Sequence, residues 1–244
     1  MKLKASLLAV LLSANVAGMA QTDSQEQKKM SPAEERLRTD WAWLKRFEKA
    51  NAELPAPAPG ENRVVFMGNS ITEGWINMVP EFFAGKPYIN RGIGGQTTPQ
   101  MLLRFKPDVI DLKPKVVVIL AGTNDIAGNT GPTTEKTIID NITSMAQLAK
   151  ANGIKVVLAS IIPVYDYPWK PGLQPVEKIA SINAKLKAFA QNNGMVYLDY
   201  YTPMADERKG LKASLGSDGV HPNKAGYALM APLAEAAIKA ALGK

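Results

Sequence analysis

The chain contains no cysteine. That excludes thiol catalysis, disulfide cross-links, thiolate metal sites and lipid attachment through cysteine. It contains one histidine, His221, so no metal site built from several imidazoles is available. Any imidazole chemistry falls on that residue. No Gly-x-x-x-x-Gly-Lys loop and no Gly-x-Gly-x-x-Gly fingerprint follows any of its short apolar runs, which removes the main support for nucleotide chemistry. Lysines are scattered, with no long block of like charge and no basic stripe interleaved with aromatics. Nucleic acid is therefore not an expected partner.

What is present is globular. The 244 residues are 46% hydrophobic and 21% charged, proportions that exclude long-range disorder and suit one large domain or two small ones. A domain of about 200 residues buries roughly 70% of its unfolded surface and needs no disulfide or metal to hold it.

Lys2 and Lys4 precede an apolar run, Ala5 to Leu12, that continues through small residues to Gly18-Met19-Ala20. A basic start, a short apolar core and a small-residue end read as a secretory signal peptide over residues 1–20. The run is shorter than the roughly 20 residues a membrane-spanning helix needs. Loss of its two lysines takes the formal charge from +7 to +5, a modest value. The expected location is the periplasm or the outside of the cell, without a lipid anchor.

Residues 21–61 read as a flexible segment, a helix and a linker. Ser31-Pro32-Ala33-Glu34 supplies an N-cap, a proline at the first helical position and a capping-box glutamate. Leu37, Trp41, Leu44 and Phe47 follow at helical spacing, predicting one helix over about 32–51. Pro55 to Gly60 is proline-rich and extended.

The main domain, residues 62–244, alternates. Short apolar runs at 63–67, 88–90, 116–121, 155–162 and 195–198 predict five strands. Helical periodicity follows the first run, lies in front of Gly153 and Gly194, and returns after Asn223. Alternation of this kind means an α/β fold with a parallel sheet covered on both faces.

Ligands in such sheets sit outside the carboxyl ends of the strands. Four segments fall there or beside it. Gly68-Asn69-Ser70-Ile71-Thr72 follows the first strand and exposes a serine hydroxyl, or merely caps a helix. Thr72 stands where the G-x-S-x-G elbow would have its second glycine. Asn90 to Thr98, after the second strand, carries Gly92, Gly94 and Gly95, which let bare amides approach a ligand or simply make a turn. Gly122-Thr123-Asn124-Asp125, after the third, offers an amide side chain to an oxyanion or a loop bridge. Asp218-Gly219-Val220-His221-Pro222 precedes the last helix, with an aspartate three residues before the histidine. Carboxylate, imidazole and hydroxyl are the parts of a serine acyl-transfer site.

Together, in this order, the four segments resemble the SGNH (GDSL-type) esterase and acylhydrolase family over about residues 62–240. The resemblance implies a three-layer α/β/α sandwich around a five-stranded parallel sheet in the flavodoxin-like order 2-1-3-4-5. It makes Ser70 the nucleophile, His221 the base and Asp218 its orienting carboxylate. The oxyanion donors it implies are the amides of Ser70 and Gly95 and the side chain of Asn124, with Gly92 and Gly94 as neighbouring alternatives to Gly95. Asn69 departs from the aspartate that commonly precedes the nucleophile. No cofactor and no metal is called for. An imidazole base, with an unperturbed pKa of about 6.5, implies activity that falls as pH drops through that region.

The ester itself is less constrained. Tyr165-Asp166-Tyr167-Pro168-Trp169 follows the fourth strand, and Tyr165 and Trp169, with Trp75, either form an aromatic sugar platform or pack under a loop. No long apolar lid segment is evident. These features favour short acyl groups, acetyl above all, on carbohydrate. A lysophospholipase or thioesterase of the same fold and a non-catalytic polysaccharide-binding module are the alternatives.

Overall fold

The structure, a computed structural model, describes residues 30–243; the expected signal segment lies outside them. In chain order the elements are α1 (Pro32–Thr39), α2 (Glu48–Glu53), β1 (Val64–Gly68), α3 (Ser70–Met78), β2 (Tyr88–Gly92), α4 (Thr98–Asp108) and β3 (Val116–Leu120). They continue with α5 (Thr123–Ile126), α6 (Glu135–Ala151), β4 (Lys155–Ala159), α7 (Val176–Asn192), β5 (Val196–Leu198), α8 (Tyr201–Met204) and α9 (Lys224–Ala241).

The five strands form one parallel sheet in the order β2-β1-β3-β4-β5. Every residue of β1 and β3 is buried, as central strands covered on two faces must be. Alternate side chains go to opposite layers. Val65, Met67, Val117 and Ile119 pack with Met101 and Phe105 of α4, Ile142 of α6 and Ile182 of α7. Val64, Phe66, Val116 and Val118 pack with Ile71 and Trp75 of α3 and with Tyr227 and Met230 of α9.

Register decides where the site can be. Gly68 pairs with Gly92 on one side and with Leu120 on the other, so β1, β2 and β3 end level. The segments that follow them start at one edge of the sheet. Close packing there demands glycine. A Cβ on Gly92 would lie 2.1 Å from the Glu73 amide nitrogen, and one on Gly68 would lie 1.9 Å from Thr72 Oγ1.

Two sequence expectations need correction, and one helix is added. The single helix over 32–51 is divided, because Asp40 ends α1 and its carboxylate accepts the Leu44 and Lys45 amides at 2.7 and 3.0 Å. Trp43 turns left-handed at φ 56°, and α2 starts afresh. The fourth strand stops at Ala159 rather than Ile162. Beyond it the Ile161 backbone is satisfied by Asn183 of α7, whose side chain accepts its N–H and donates to its carbonyl at 2.8 and 2.9 Å. The helix α4 was not anticipated, although Thr97 and Gln100 form a capping box with a proline in the first turn.

The segment before β1 packs on its own body. Asn51 of α2 accepts from Arg91 Nε and Nη2 at 2.9 and 2.7 Å and donates to Asp108 at 2.7 Å. Gln96 and Gln100 donate to the carbonyls of Ala42 and Trp41, each at 2.7 Å.

Candidate active site

Ser70 is the first residue of α3, directly after β1, so its amide has no acceptor one turn back and its hydroxyl stands at the helix mouth. Asn69 caps that helix by accepting the Ile71 amide at 3.1 Å. An asparagine suffices for the task, because a cap needs only a side-chain oxygen.

The Ser70 hydroxyl lies 2.9 Å from Nε2 of His221, and Nδ1 of His221 lies 2.7 Å from Oδ2 of Asp218. The other oxygen of Asp218 accepts the Val220 and His221 amides at 2.9 and 2.7 Å. Partial burial acts to raise the Asp218 carboxyl. The bonds from the His221 ring and from the two amides outweigh that effect and hold it below the usual carboxylate range. An ionised Asp218 only accepts, so Nδ1 carries the proton and the Nε2 lone pair faces the Ser70 hydroxyl. Gly219, at φ 82°, allows the turn that folds the carboxylate back.

The glycines at 92, 94 and 95 separate cleanly. The Gly92 amide is committed to Asn90 Oδ1 and the Gly94 amide to Glu73 Oε2, each at 2.8 Å. Gly95, at φ 75°, has an amide with no protein acceptor among the described residues. A Cβ built on Gly94 would fall 3.9 Å from that of Ser70, which places this loop beside the serine.

Asn124 sits in α5, which Gly122 starts at φ 113°. Its Nδ2 donates to the Gln96 carbonyl at 2.9 Å, using one of its two hydrogens and leaving the second. Behind it, Asp125 receives the Thr98 amide on both oxygens at 3.0 Å and the Thr98 hydroxyl as well. Burial pushes the Asp125 carboxyl up to about 6, against the Thr98 bonds that favour its charge.

The three aromatic candidates part company. Trp169 is 46% exposed with its ring 6.1 Å from that of His221, and Tyr165 is 52% exposed under the Arg208 guanidinium. Trp75 is no platform. It is 2% exposed on the inner face of α3, stacked on Phe82 at 4.6 Å and on Tyr227 at 5.4 Å. One turn after Ile71 on the same helix, it points into the sheet rather than toward the mouth.

Sequence reasoning missed three residues at this site. Glu73 and Asn129 hold the glycine loop by contacts 21 and 34 residues distant. Arg104, fully buried, joins Gln96, Asp108 and the Gly68 carbonyl. Only Arg104 left a signal, an (i, i+4) pair with Asp108. Among the described residues no three His, Asp or Glu side chains converge as a metal-ligand set. No helix among them is long and apolar enough to cross a membrane.

Known proteins resemble this chain in sequence and fold. A candidate acylhydrolase from Bacteroides fragilis superposes with a TM-score of 0.82 at 52% identity, covering 83% of this chain and 99% of that one. The uncharacterised lipoprotein YqeF of Bacillus subtilis is 33% identical over 124 residues, 44% of this chain and 51% of its own length. The acetylxylan esterase of Xylanibacter ruminicola is 28% identical over 233 residues, 81% of this chain and 46% of its own. The chain thus spans about half the length of these two curated relatives. The GDSL-like lipase/acylhydrolase family model matches residues 66–229, and the chain belongs to that family.

Proposed function

We propose that the chain is an exported serine esterase that removes short acyl groups, acetyl above all, from carbohydrate. The observation that carries the reading is the hydrogen-bond chain from Ser70 through His221 to Asp218, at 2.9 and 2.7 Å.

In this reading the Ser70 hydroxyl attacks the ester carbonyl while its proton passes to Nε2 of His221. The negative charge that develops on the carbonyl oxygen is met by the amides of Ser70 and Gly95 and by the free hydrogen of Asn124. Collapse expels the alcohol, which takes the proton from His221. Water then attacks the acyl-serine and gives its proton to His221. The acid leaves as Ser70 Oγ recovers that proton. Asp218 holds the ring in the tautomer this requires and steadies the imidazolium that forms.

The substrate class rests on the surroundings. Trp169 presents an exposed ring beside His221, suited to the apolar face of a sugar, and Tyr165 is a second exposed ring on the loop that carries it. The likeness to an acetylxylan esterase supports the same choice. Residues 1–20 fit an export signal, and residues 62–244 form the catalytic domain in this reading.

The test is acid release from paired short- and long-chain model esters and from an acetylated polysaccharide, for wild type and Ser70→Ala. Acetate release from the polymer that vanishes in the variant supports the proposal. Preference for long chains moves the substrate to a lysophospholipid or thioester. Polysaccharide binding without any turnover overturns the esterase in favour of a binding module.

A further inference from the structure

Two side chains with no part in the reaction above hold the loop that presents the Gly95 amide. Glu73, three residues after Ser70 in the first turn of α3, accepts the Gly94 N–H on Oε2 at 2.8 Å. Asn129, just beyond α5, donates from Nδ2 to the Gly95 carbonyl at 3.2 Å. These bonds fix the peptide units on either side of the Gly94–Gly95 peptide. They leave that peptide, whose N–H is the oxyanion donor, with no protein acceptor among the described residues.

The restraint matters because glycine does not hold a conformation by itself. Gly95 needs its freedom to reach φ 75°, and two glycines in succession would otherwise let the N–H swing. The fit is close. A methyl group on Gly94 would lie 2.8 Å from Oε2 of Glu73, so the carboxylate occupies the space a side chain at 94 would need.

The other oxygen of Glu73 faces the guanidinium of Arg46 at 3.5 Å, both groups partly exposed. Arg46 belongs to the segment before β1 and lies over the rings of Trp43 and Phe47. The same segment takes the Gln96 and Gln100 side chains on the carbonyls of Ala42 and Trp41. The loop is thus backed from α3, from α5 and from the N-terminal segment.

We propose that Glu73 is a positioning residue for ester hydrolysis: its carboxylate holds the Gly94 amide so that the Gly95 N–H is aimed before the ester arrives. Asn129 fixes the far side and Arg46 steadies the carboxylate. The proposal rests on the reading of Gly95 as an oxyanion donor. An acid in the first turn also suits the helix dipole. That role alone changes stability and leaves kcat untouched, which the experiment separates.

The experiment measures kcat and KM for 4-nitrophenyl acetate, affinity for a boronic acid that forms a tetrahedral adduct, and Tm. It compares wild type, Ser70→Ala, Glu73→Ala, Glu73→Gln and Asn129→Ala. Loss of an oxyanion donor outright costs on the order of 100- to 1000-fold, and a misaimed one costs less. Glu73→Ala is expected to lower kcat about 10- to 100-fold with KM within about twofold. Boronate affinity falls in parallel. Glu73→Gln keeps an acceptor for the Gly94 N–H and recovers kcat to within about threefold of wild type. Asn129→Ala, in an exposed loop, lowers kcat about 3- to 10-fold without loss of Tm.

Wild-type kcat in Glu73→Ala, a rise in KM alone, or a Gln variant as slow as the Ala variant overturns the proposal. If Glu73→Ala fails to fold, the Gln and Asn129 variants decide the matter. A wild type that hydrolyses no ester, or an active Ser70→Ala, contradicts the esterase reading instead.

Discussion

Asp218 grips His221 with both carboxylate oxygens, one on Nδ1 of the ring and one on the backbone amide, each at 2.7 Å. A single side chain therefore sets the ring's tautomer and also closes the turn that carries the ring. The two roles separate by substitution. Asp218→Asn keeps an oxygen for the Val220 and His221 amides but supplies a neutral partner to the ring. It is expected to lower kcat by about 10²–10⁴ with the fold intact. Asp218→Ala should cost Tm as well, and kinetics with thermal unfolding on both variants checks this.

Asp125 makes stability depend on pH in an unusual direction. Its folded-state pKa, about 6, lies above the roughly 4 of an unfolded aspartate, so the folded chain binds the proton more tightly. The contribution of this group is fullest below pH ~4 and declines as pH rises through about 6. Asp125→Asn removes that slope. The difference in unfolding free energy between wild type and Asp125→Asn, measured from pH 4 to 7, is expected to vary across this window. A constant difference contradicts the assignment.

Trp75, buried in the core, and Trp169, exposed beside His221, should fail differently. Trp75→Ala empties a site between Phe82 and Tyr227 and should cost about 3–5 kcal/mol in stability. Trp169→Ala removes an exposed ring and should leave Tm nearly unchanged. KM on an acetylated oligosaccharide should rise, while turnover of 4-nitrophenyl acetate holds. Denaturant titration and paired kinetics on the two substrates distinguish the cases.

Much of this was legible in the sequence, and what was not has physical reasons. The runs of β1 and β3 stand out because central strands covered on both faces leave no place for polar residues, and Gly68 and Gly122 punctuate their ends; the edge strands β2 and β5 are half-buried and show less plainly. The order of the strands came from resemblance, since periodicity says nothing of which strand lies beside which. The helix over 32–51 failed at Asp40, whose carboxylate competes for backbone amides that a continuous helix would have used internally. For Trp75 the sequence leaves platform and packing open, because an aromatic near a nucleophile looks functional until the helix face is known; burial against Phe82 and Tyr227 decides for packing. Glu73 and Asn129 were illegible because their partners are far along the chain and their types are common in loops and first turns.

Asn51 is one of the ties between the N-terminal segment and the body, beside the bonds from Gln96 and Gln100. Asn51 satisfies two donors of the buried Arg91 guanidinium and donates to Asp108. Asn51→Ala leaves those groups short of partners and should lower stability by about 1–3 kcal/mol. Equilibrium unfolding in urea measures it, and an unchanged midpoint contradicts the docked arrangement.

The most direct test of the central claim is a rapid acid quench of the protein with an activated acetate ester, followed by peptide mass spectrometry. The account predicts an acetyl group on Ser70 during turnover, absent from Ser70→Ala, and accumulating further in His221→Ala only to the extent that acylation survives. Steady acetate release with Ser70 unmodified, or with Ser70→Ala as active as wild type, contradicts it.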